Sequence, residues 1–379
     1  MSGDDGLDQL EMDPDLAKRL VEEGSYFLLL DFPLGSSVGI DLSEYNAGEK
    51  FKGFKMIPPG LHFIHFSAVS SDDFRQSAPR TGFFHVFNCK EVLVRRWDAK
   101  TEDISDEKVS DEEIQRYKAD LFGKLDQFLA PYPFKQLQRW VGLSDHINSY
   151  VIDLLNPLSG RIVSVTQMIP LRFPEDIQAS KSTTSDDVPK NIEKLLPNMK
   201  VEPSSQIKFS ELNKFKYPSG SSASELTQHI LDSTYCLTKI MSRYSRNEDI
   251  LGELQFAFLT FIAGQVYDSF EHWKAFLKVI CNSGKAMADH TNLYMDLIRV
   301  LHFQLREVPE DLFVDIVANN NFLVTVLRDL FQNISNNSNV ETCLKERAFK
   351  FKKSVTKKYR WDFDNDPDDE QPVVVDLSS

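Results

Sequence analysis

Cysteine is scarce in this chain: four in 379 residues, Cys89, Cys236, Cys281 and Cys343, far apart and with no CxxC pair. That spacing excludes a disulfide framework and reads as reduced core thiols of a cytosolic or nuclear protein. Long apolar runs are missing as well. The longest apolar-rich stretch, 254–267, contains Gln255 and Gln265 and is too short to span a bilayer. Positive charge is in deficit, with 43 Lys and Arg against 57 Asp and Glu and a net charge of −14. Such a balance argues against nucleic-acid phosphate as the main ligand and against a peripheral membrane role. A partner protein with a basic surface, or a neutral ligand, fits better. The opening MSGDDGLDQLEMDPD is acidic and polar, the opposite of a signal peptide, so an intracellular protein, cytoplasmic and nuclear, is expected.

Catalytic and metal motifs are also absent. There is no GxSxG and no GxGxxG after a strand, and Ser283-Gly284-Lys285 lacks the upstream glycine of a Walker motif. His62 and His65 form an HxxH string, but residues three apart on a strand point to opposite faces and cannot share one ion, so packed or hydrogen-bonded histidines are expected. His272 has no second His or Cys four residues away, Glu271 beside it reads as the acid of a cap with Asp268, and His290 is isolated. The pairs Asp186-Asp187 and Asp368-Asp369 lie in polar stretches that cannot hold catalytic geometry. No cofactor or metal is expected, and the reading is a non-catalytic scaffold or binding protein.

What is present is core material: 41% hydrophobic residues and 28 Phe. After a first segment, 1–11, read as disordered, MDPDLAKRLVEEG holds a short helix with Asp13 as cap, Pro14 at its first position and Gly24 at its end. From 25 to 98 the texture is that of strands: YFLLLDF, MIPPGLHFIHFSAV, TGFFHVF and EVLVRRW, several apolar on both faces and therefore internal to a sandwich-like or barrel-like body. Pro58-Pro59-Gly60 reads as a rigid turn between two extended runs. Ser110 and Glu113 form a capping-box pair predicting a helix that carries Ile114, Tyr117, Leu121, Leu125 and Phe128 as far as Pro131. Short helices at 134–141 and 145–155 and a strand at 161–169 follow.

The stretch 174–206, rich in Ser, Thr, Lys, Asp and Pro, reads as a linker with one helical turn near 192–196. Beyond Tyr217 the strand signature ends. Ser222 and Glu225 predict a helix to Tyr244, and further helices are expected from 249 into 264–267, from 268, and at 286–306, 310–318, 322–334 and 340–359. The helix from 249 is apolar nearly all round, which makes it the central element. No repeat of fixed period is found, although stacked helix pairs stay open. The fold class expected is α+β in two domains: β-rich at 12–173 and all-α at 207–361, with an acidic tail at 362–379. Residues 345–360 hold eight basic residues against Glu346, and the tail holds seven acids without a base. Charge runs of this kind ordinarily coat an exposed helix. The alternative use is a basic face for a partner or RNA that the tail masks until binding.

Taken in order, MDPDLAKRL (12–20), FKGFKMIPPGLHFIHFS (51–67), LDQFLAPYPF (125–134), IKFSEL (207–212), LGELQFAFLTFIAGQVYDSFEHWK (251–274), LFVDIV (312–317), TKKYRWDF (356–363) and PVVVDL (372–377) resemble one eukaryotic family, the a1-alpha-two-repression splicing factors. The segment before Met12 and the 174–206 stretch match least. The resemblance implies a β-rich first domain and a helical second domain like the VHS superhelix. It also implies an assembly factor of the U5 small nuclear ribonucleoprotein, without catalytic residues or cofactor. Such a factor holds the central scaffold, the Prp-eight protein, by its RNase-H-like and Jab/MPN domains and excludes the Brr-two helicase until maturation. Trp361, Phe363, Val373, Val374, Val375 and Leu377 are the candidate partner-binding residues. The run of valines beside Pro372 suits strand addition to a partner's sheet edge or, alternatively, folding back onto the chain's own sheet. Thr183 and Thr184, each followed three residues on by an acid, are candidate phosphorylation sites for a negatively charged switch in the linker. Alone, the chain is expected to be monomeric.

Overall fold

A computed structural model describes residues 14–69, 77–121, 123–165, 168–170, 199–308 and 321–364. Helix α1 (Pro14–Glu23) begins with its proline at the first helical position and ends where the Gly24 N–H donates to the Leu20 carbonyl at 2.9 Å; Asp13 lies outside the described residues. Ten strands and three further helices follow: β1 (Ser25–Leu30), β2 (Ser37–Ile40), β3 (Ser43–Asn46), β4 (Gly53–Ile57), β5 (Gly60–Ser67), β6 (Thr81–Phe87), β7 (Val92–Asp98), β8 (Asp103–Ile104), α2 (Asp111–Asp120), β9 (Leu129–Pro131), α3 (Leu137–Ser144), α4 (Ser149–Leu155) and β10 (Ile162–Val163). They make two five-stranded sheets, ordered β8-β7-β1-β4-β9 and β10-β6-β5-β2-β3. The second is antiparallel throughout, while the first pairs β1 with β7 and β4 with β9 in parallel.

The apolar-on-both-faces reading of β1 is explained by two separate cores. Phe27 and Leu29 join Val38, Phe54, Ile64 and Trp97 between the sheets. Tyr26, Leu28 and Leu30 point the other way and pack with Val94, under Ile114 and Tyr117 of α2. All six residues of β1 are buried. Pro58 and Pro59 carry the chain from β4 in one sheet to β5 in the other, and Gly60, at φ 134°, takes a conformation that L side chains rarely adopt.

Helix α2 corrects the sequence reading. Ser110 caps it, accepting from the Glu113 N–H at 3.3 Å, but it stops at Asp120 rather than near 131. Gly123 lies just past its end, and 129–131 form β9 against β4 instead. Leu125 and Phe128 therefore do not continue its apolar stripe. The strand expected at 161–169 is two, β10 and β11 (Met168–Pro170), the latter paired with β12 (Met199–Val201). Part of the expected linker is thus strand. Its end is tied down further where Ser159 N–H donates to the Ser204 carbonyl and Lys208 N–H to that of Leu155.

The remaining helices are α5 (Ala223–Leu231), α6 (Thr234–Met241), α7 (Asp249–Ile262), α8 (Tyr267–Cys281), α9 (Ala286–Asp289), α10 (Thr291–Glu307), α11 (Phe322–Asn336) and α12 (Thr342–Tyr359). The Ser222–Glu225 capping box is complete, yet the helix it opens breaks at Asp232–Ser233, where Asp232 Oδ1 accepts from the Thr234 N–H at 2.8 Å. The single helix expected at 286–306 likewise breaks at His290, whose backbone leaves the helical region. Asp268 lies inside α8 rather than capping it, and Glu271 pairs with Lys274 at 2.7 Å. Residues 310–318 lie outside the described residues. Every residue of α7 from Asp249 to Thr260 is buried, as its all-round apolarity requires. Among the described residues, contacts gather one compact unit from those up to Trp140 with Ser149–Lys208 and Thr260–Tyr267. A second comprises Val141–Asn148, Phe209–Leu259 and those from Asp268 onward.

The two histidines of β5 do face opposite ways. His62 packs near Phe87, Tyr132 and Trp140, whereas His65 packs on Phe63 and against Gly39, where an added Cβ would stand 2.1 Å from the His65 ring. Burial, assisted by Arg80, pushes the His65 imidazole down to about 4. The fold therefore keeps His65 neutral where the unfolded chain, titrating near 6.5, takes up a proton. Stability is full above pH 6.5 and falls as the pH drops toward 4, with a loss of about 2 kcal/mol expected by pH 5. Urea denaturation at pH 7 and pH 5 checks this: the chain should lose that much more stability than His65→Gln, which has no proton to gain.

Candidate partner-binding surface

Each compact unit contains a fully buried carboxylate held by several donors. In the sheet unit Asp41 stands at φ 56° and is 0% exposed. Its Oδ1 accepts from the Phe63 N–H at 2.9 Å, and its Oδ2 from His62 Nδ1 at 2.7 Å and the Tyr132 hydroxyl at 2.6 Å. His62 Nε2 in turn lies 2.9 Å from the Pro58 carbonyl. Burial and the adjacent Asp41 push the Tyr132 hydroxyl far above its ordinary range, so it stays a donor. An acid, a histidine and a tyrosine in contact suggest proton-transfer chemistry, but these groups are closed to solvent and bound to one another.

The helical unit repeats the arrangement around Glu253, midway along α7. Its Oε1 accepts from the Ser210 N–H at 2.7 Å and lies 2.8 Å from His272 Nε2, and its Oε2 accepts from the Ser210 hydroxyl at 2.7 Å and from the Tyr244 hydroxyl. Burial favours the neutral acid, but the bonds from His272, Ser210 and Tyr244 outweigh it and hold Glu253 below the usual carboxylate range. Phe209 stacks on His272 at 4.1 Å and closes the cluster. Sequence reasoning missed this network. The available signal was one acid inside DILGELQFAFLTFI, a helix otherwise buried on every side. Among the described residues no group of three or more His, Cys, Asp or Glu could hold a metal, and no helix is long and apolar enough to cross a membrane.

What the second unit offers outward is α12. Leu344, Ala348, Phe351 and Val355 form its buried stripe at helical spacing. Lys350, Lys353, Lys357 and Lys358 are exposed, and Phe349, one step off the stripe, is 68% exposed among them. A Phe out of phase with its neighbours was legible in the sequence and passed unnoticed. Arg360 ends the helix in the left-handed region at φ 58°. The chain then turns back on itself: Trp361 stacks on Tyr359 at 4.8 Å, Phe363 packs edge-on to Phe331 at 5.1 Å, and Asp364 pairs with Lys352. Of the candidate partner-binding residues, Trp361 is thus half-buried. Phe363, 3% exposed, sits in the helical unit's own core and can meet a partner only if that packing opens. Val373, Val374, Val375, Leu377, Thr183 and Thr184 lie outside the described residues.

The layout is thus two sheets followed by helices, with the buried acids Asp41 and Glu253 bound internally. Two family models match in the same order: the AAR2 N-terminal domain over residues 23–157 and the AAR2 C-terminal repeat region over 209–364. The chain is 38% identical over 383 residues to the Protein AAR2 homolog of Homo sapiens, covering 97% of both. It is 33% identical to the Protein AAR2 homolog of Caenorhabditis elegans, covering 93% of this chain and 98% of that one. With the A1 cistron-splicing factor AAR2 of Saccharomyces cerevisiae the identity is 24%, over 79% of this chain and 81% of that one. The chain belongs to the AAR2 family.

Glu253 is the testable element of this geometry. Glu253→Leu strips His272, Tyr244 and both Ser210 donors of their acceptor inside a closed site, so a loss of about 3–5 kcal/mol is expected. Urea denaturation followed by the fluorescence of buried Trp273 measures it, and a cost under about 1 kcal/mol would show that the cluster relaxes without its acid.

Proposed function

We propose that this chain is a non-catalytic splicing assembly factor: it binds the U5 particle's Prp-eight scaffold through the RNase-H-like and Jab/MPN domains and keeps the Brr-two helicase off until maturation. The observation that carries this reading is collinearity. Both family domains occur here in order, and the match runs through nearly the whole of the human homologue and four fifths of the yeast splicing factor. Such a factor works by occupancy. It binds the immature scaffold more tightly than the mature one, so the helicase wins later without any bond being made or broken. It acts in the cytoplasm and the nucleus, where a reduced, unpaired set of cysteines is stable.

Gel filtration of the purified full chain with a scaffold fragment holding both domains tests the proposal. Co-elution is expected, and added helicase should displace the chain rather than join it. A stable three-way complex, or no co-elution at all, overturns the reading. One observation favours a second use, RNA binding through α12: exposed lysines flank the exposed ring of Phe349, which pairs charge with a stacking platform. Salt separates the two, because phosphate contacts weaken steeply between about 50 and 200 mM salt whereas a largely apolar protein interface does not.

In this proposal the tail segment PVVVDL adds a strand to the scaffold. Val374→Pro removes a main-chain donor and should weaken scaffold binding about tenfold while leaving the melting temperature of the chain alone unchanged. A lower melting temperature with intact binding would mean that the segment folds back on its own sheet. Phosphorylation of Thr183 and Thr184 is the proposed control of release, and Thr183→Glu with Thr184→Glu should shift the competition toward the helicase.

A further inference from the structure

Strand β7 alternates its faces. Leu93 and Trp97 point between the sheets into the main core, and Arg95, midway between them, points the same way, paired in register with core residue Leu29. Its neighbour Arg96 points outward and meets Glu113 of α2 and Asp31. A guanidinium on the core side of a sandwich ordinarily brings a counter-ion with it. Arg95 brings none. Among the described residues its one hydrogen bond runs from Nη1 to the Val94 carbonyl at 3.1 Å, and Glu91, the acid that acts on it from a distance, is bound to His85 and Asn88.

Arg95 lines a cavity of about 360 Å³, within the range of small-ligand sites, at the flank of the sandwich between the β7–β8 and β6–β10 edges. Phe83 and Ile104 supply apolar wall, and Ser105 and Asn156 are among its polar lining. The other charges around it engage one another rather than Arg95. Arg161 holds Asp103 and Asp106, and the exposed Glu107 and Lys108 offset each other in sign. A second group is short of a partner. Asn156 is half-buried, and among the described residues its Oδ1 accepts no hydrogen bond. One wall thus lacks an anion and another lacks a donor.

We infer that this cavity recognises an acidic residue within a peptide of a partner: the side-chain carboxylate meets the Arg95 fork, a main-chain N–H donates to Asn156 Oδ1, and the methylene groups lie on Phe83 and Ile104. A bidentate guanidinium–carboxylate pair has the strength and direction for this, and the amide distinguishes a peptide from a free anion, which brings acceptors almost alone. The inference stands independently of the splicing assignment, since it names a chemistry rather than a particular scaffold.

The test titrates the full chain, ¹⁵N-labelled, with acetyl-Glu-N-methylamide, acetate and inorganic phosphate while following the Arg95 Nε–H resonance, identified by its loss in Arg95→Met. The capped glutamate should bind saturably, at least tenfold more tightly than acetate or phosphate, and at least tenfold more weakly to Arg95→Met, followed there through perturbed backbone amides of β7. Asn156→Leu should abolish the preference for the amide-bearing probe while keeping anion binding. The melting temperature of Arg95→Met should equal or exceed that of the natural chain, because an unmatched charge has been removed. A lower melting temperature in Arg95→Met, with no probe binding to the natural chain, would make Arg95 a packing residue and end the inference. Phosphate binding as tightly as the capped glutamate would overturn the assignment to a peptide.

Discussion

A carboxylate withdrawn from water must have its lone pairs filled, and Asp41 in the sheet unit and Glu253 in the helical unit are two that do. Asp41 draws a main-chain N–H, an imidazole and a phenol from separate parts of the sheet unit, and so fixes where β5 and the segment carrying Tyr132 sit. Glu253 does the same among helices, joining Ser210 and Tyr244 to His272 of α8 across α7, buried from Asp249 to Thr260. Apolar packing alone would tolerate many arrangements of similar volume. Three or four directed donors on one anion tolerate few. The cost of each buried charge is thereby turned into a single geometry, and the same saturation withdraws these residues from chemistry.

How much was legible in advance follows from this. The change from strands to helices near residue 207 is written in local texture: β-branched and aromatic runs before it, apolar residues at helical spacing after it. Local rules also found the Ser222 capping box and the internal position of β1. They failed where a distant partner decides the outcome. Residues 125–131 continue a helical pattern on paper, but β4 offers a parallel edge and 129–131 take it. Asp232 and His290 look like ordinary helix interior until their backbone bonds are traced. Glu253 read as one acid in an apolar run because its four donors come from 9 to 43 residues away. Arg95 was hidden more deeply: EVLVRRW carries two adjacent arginines, and only the register with β1 tells which faces the core.

Positive charge is therefore presented in two physically different ways. Lys350, Lys353, Lys357 and Lys358 of α12 are exposed, long and water-screened, so they attract acidic partners at range and with little selectivity, and salt blunts them. Arg95 is half-buried and lines the cavity. Its attraction is short-ranged but strong, since it acts where water is partly excluded. On a chain of net charge −14 such places are exceptions.

That contrast bears on how recognition of an acidic group can be both firm and reversible. Recognition that rested on exposed lysines alone would capture any polyanion, RNA included, and would release it only when the surroundings changed. Recognition that rested on deep apolar docking would be selective but slow to leave, because residence time follows the desolvated contacts. A recessed, unmatched arginine lies between these limits. It contributes affinity only when the right anion arrives in the right orientation.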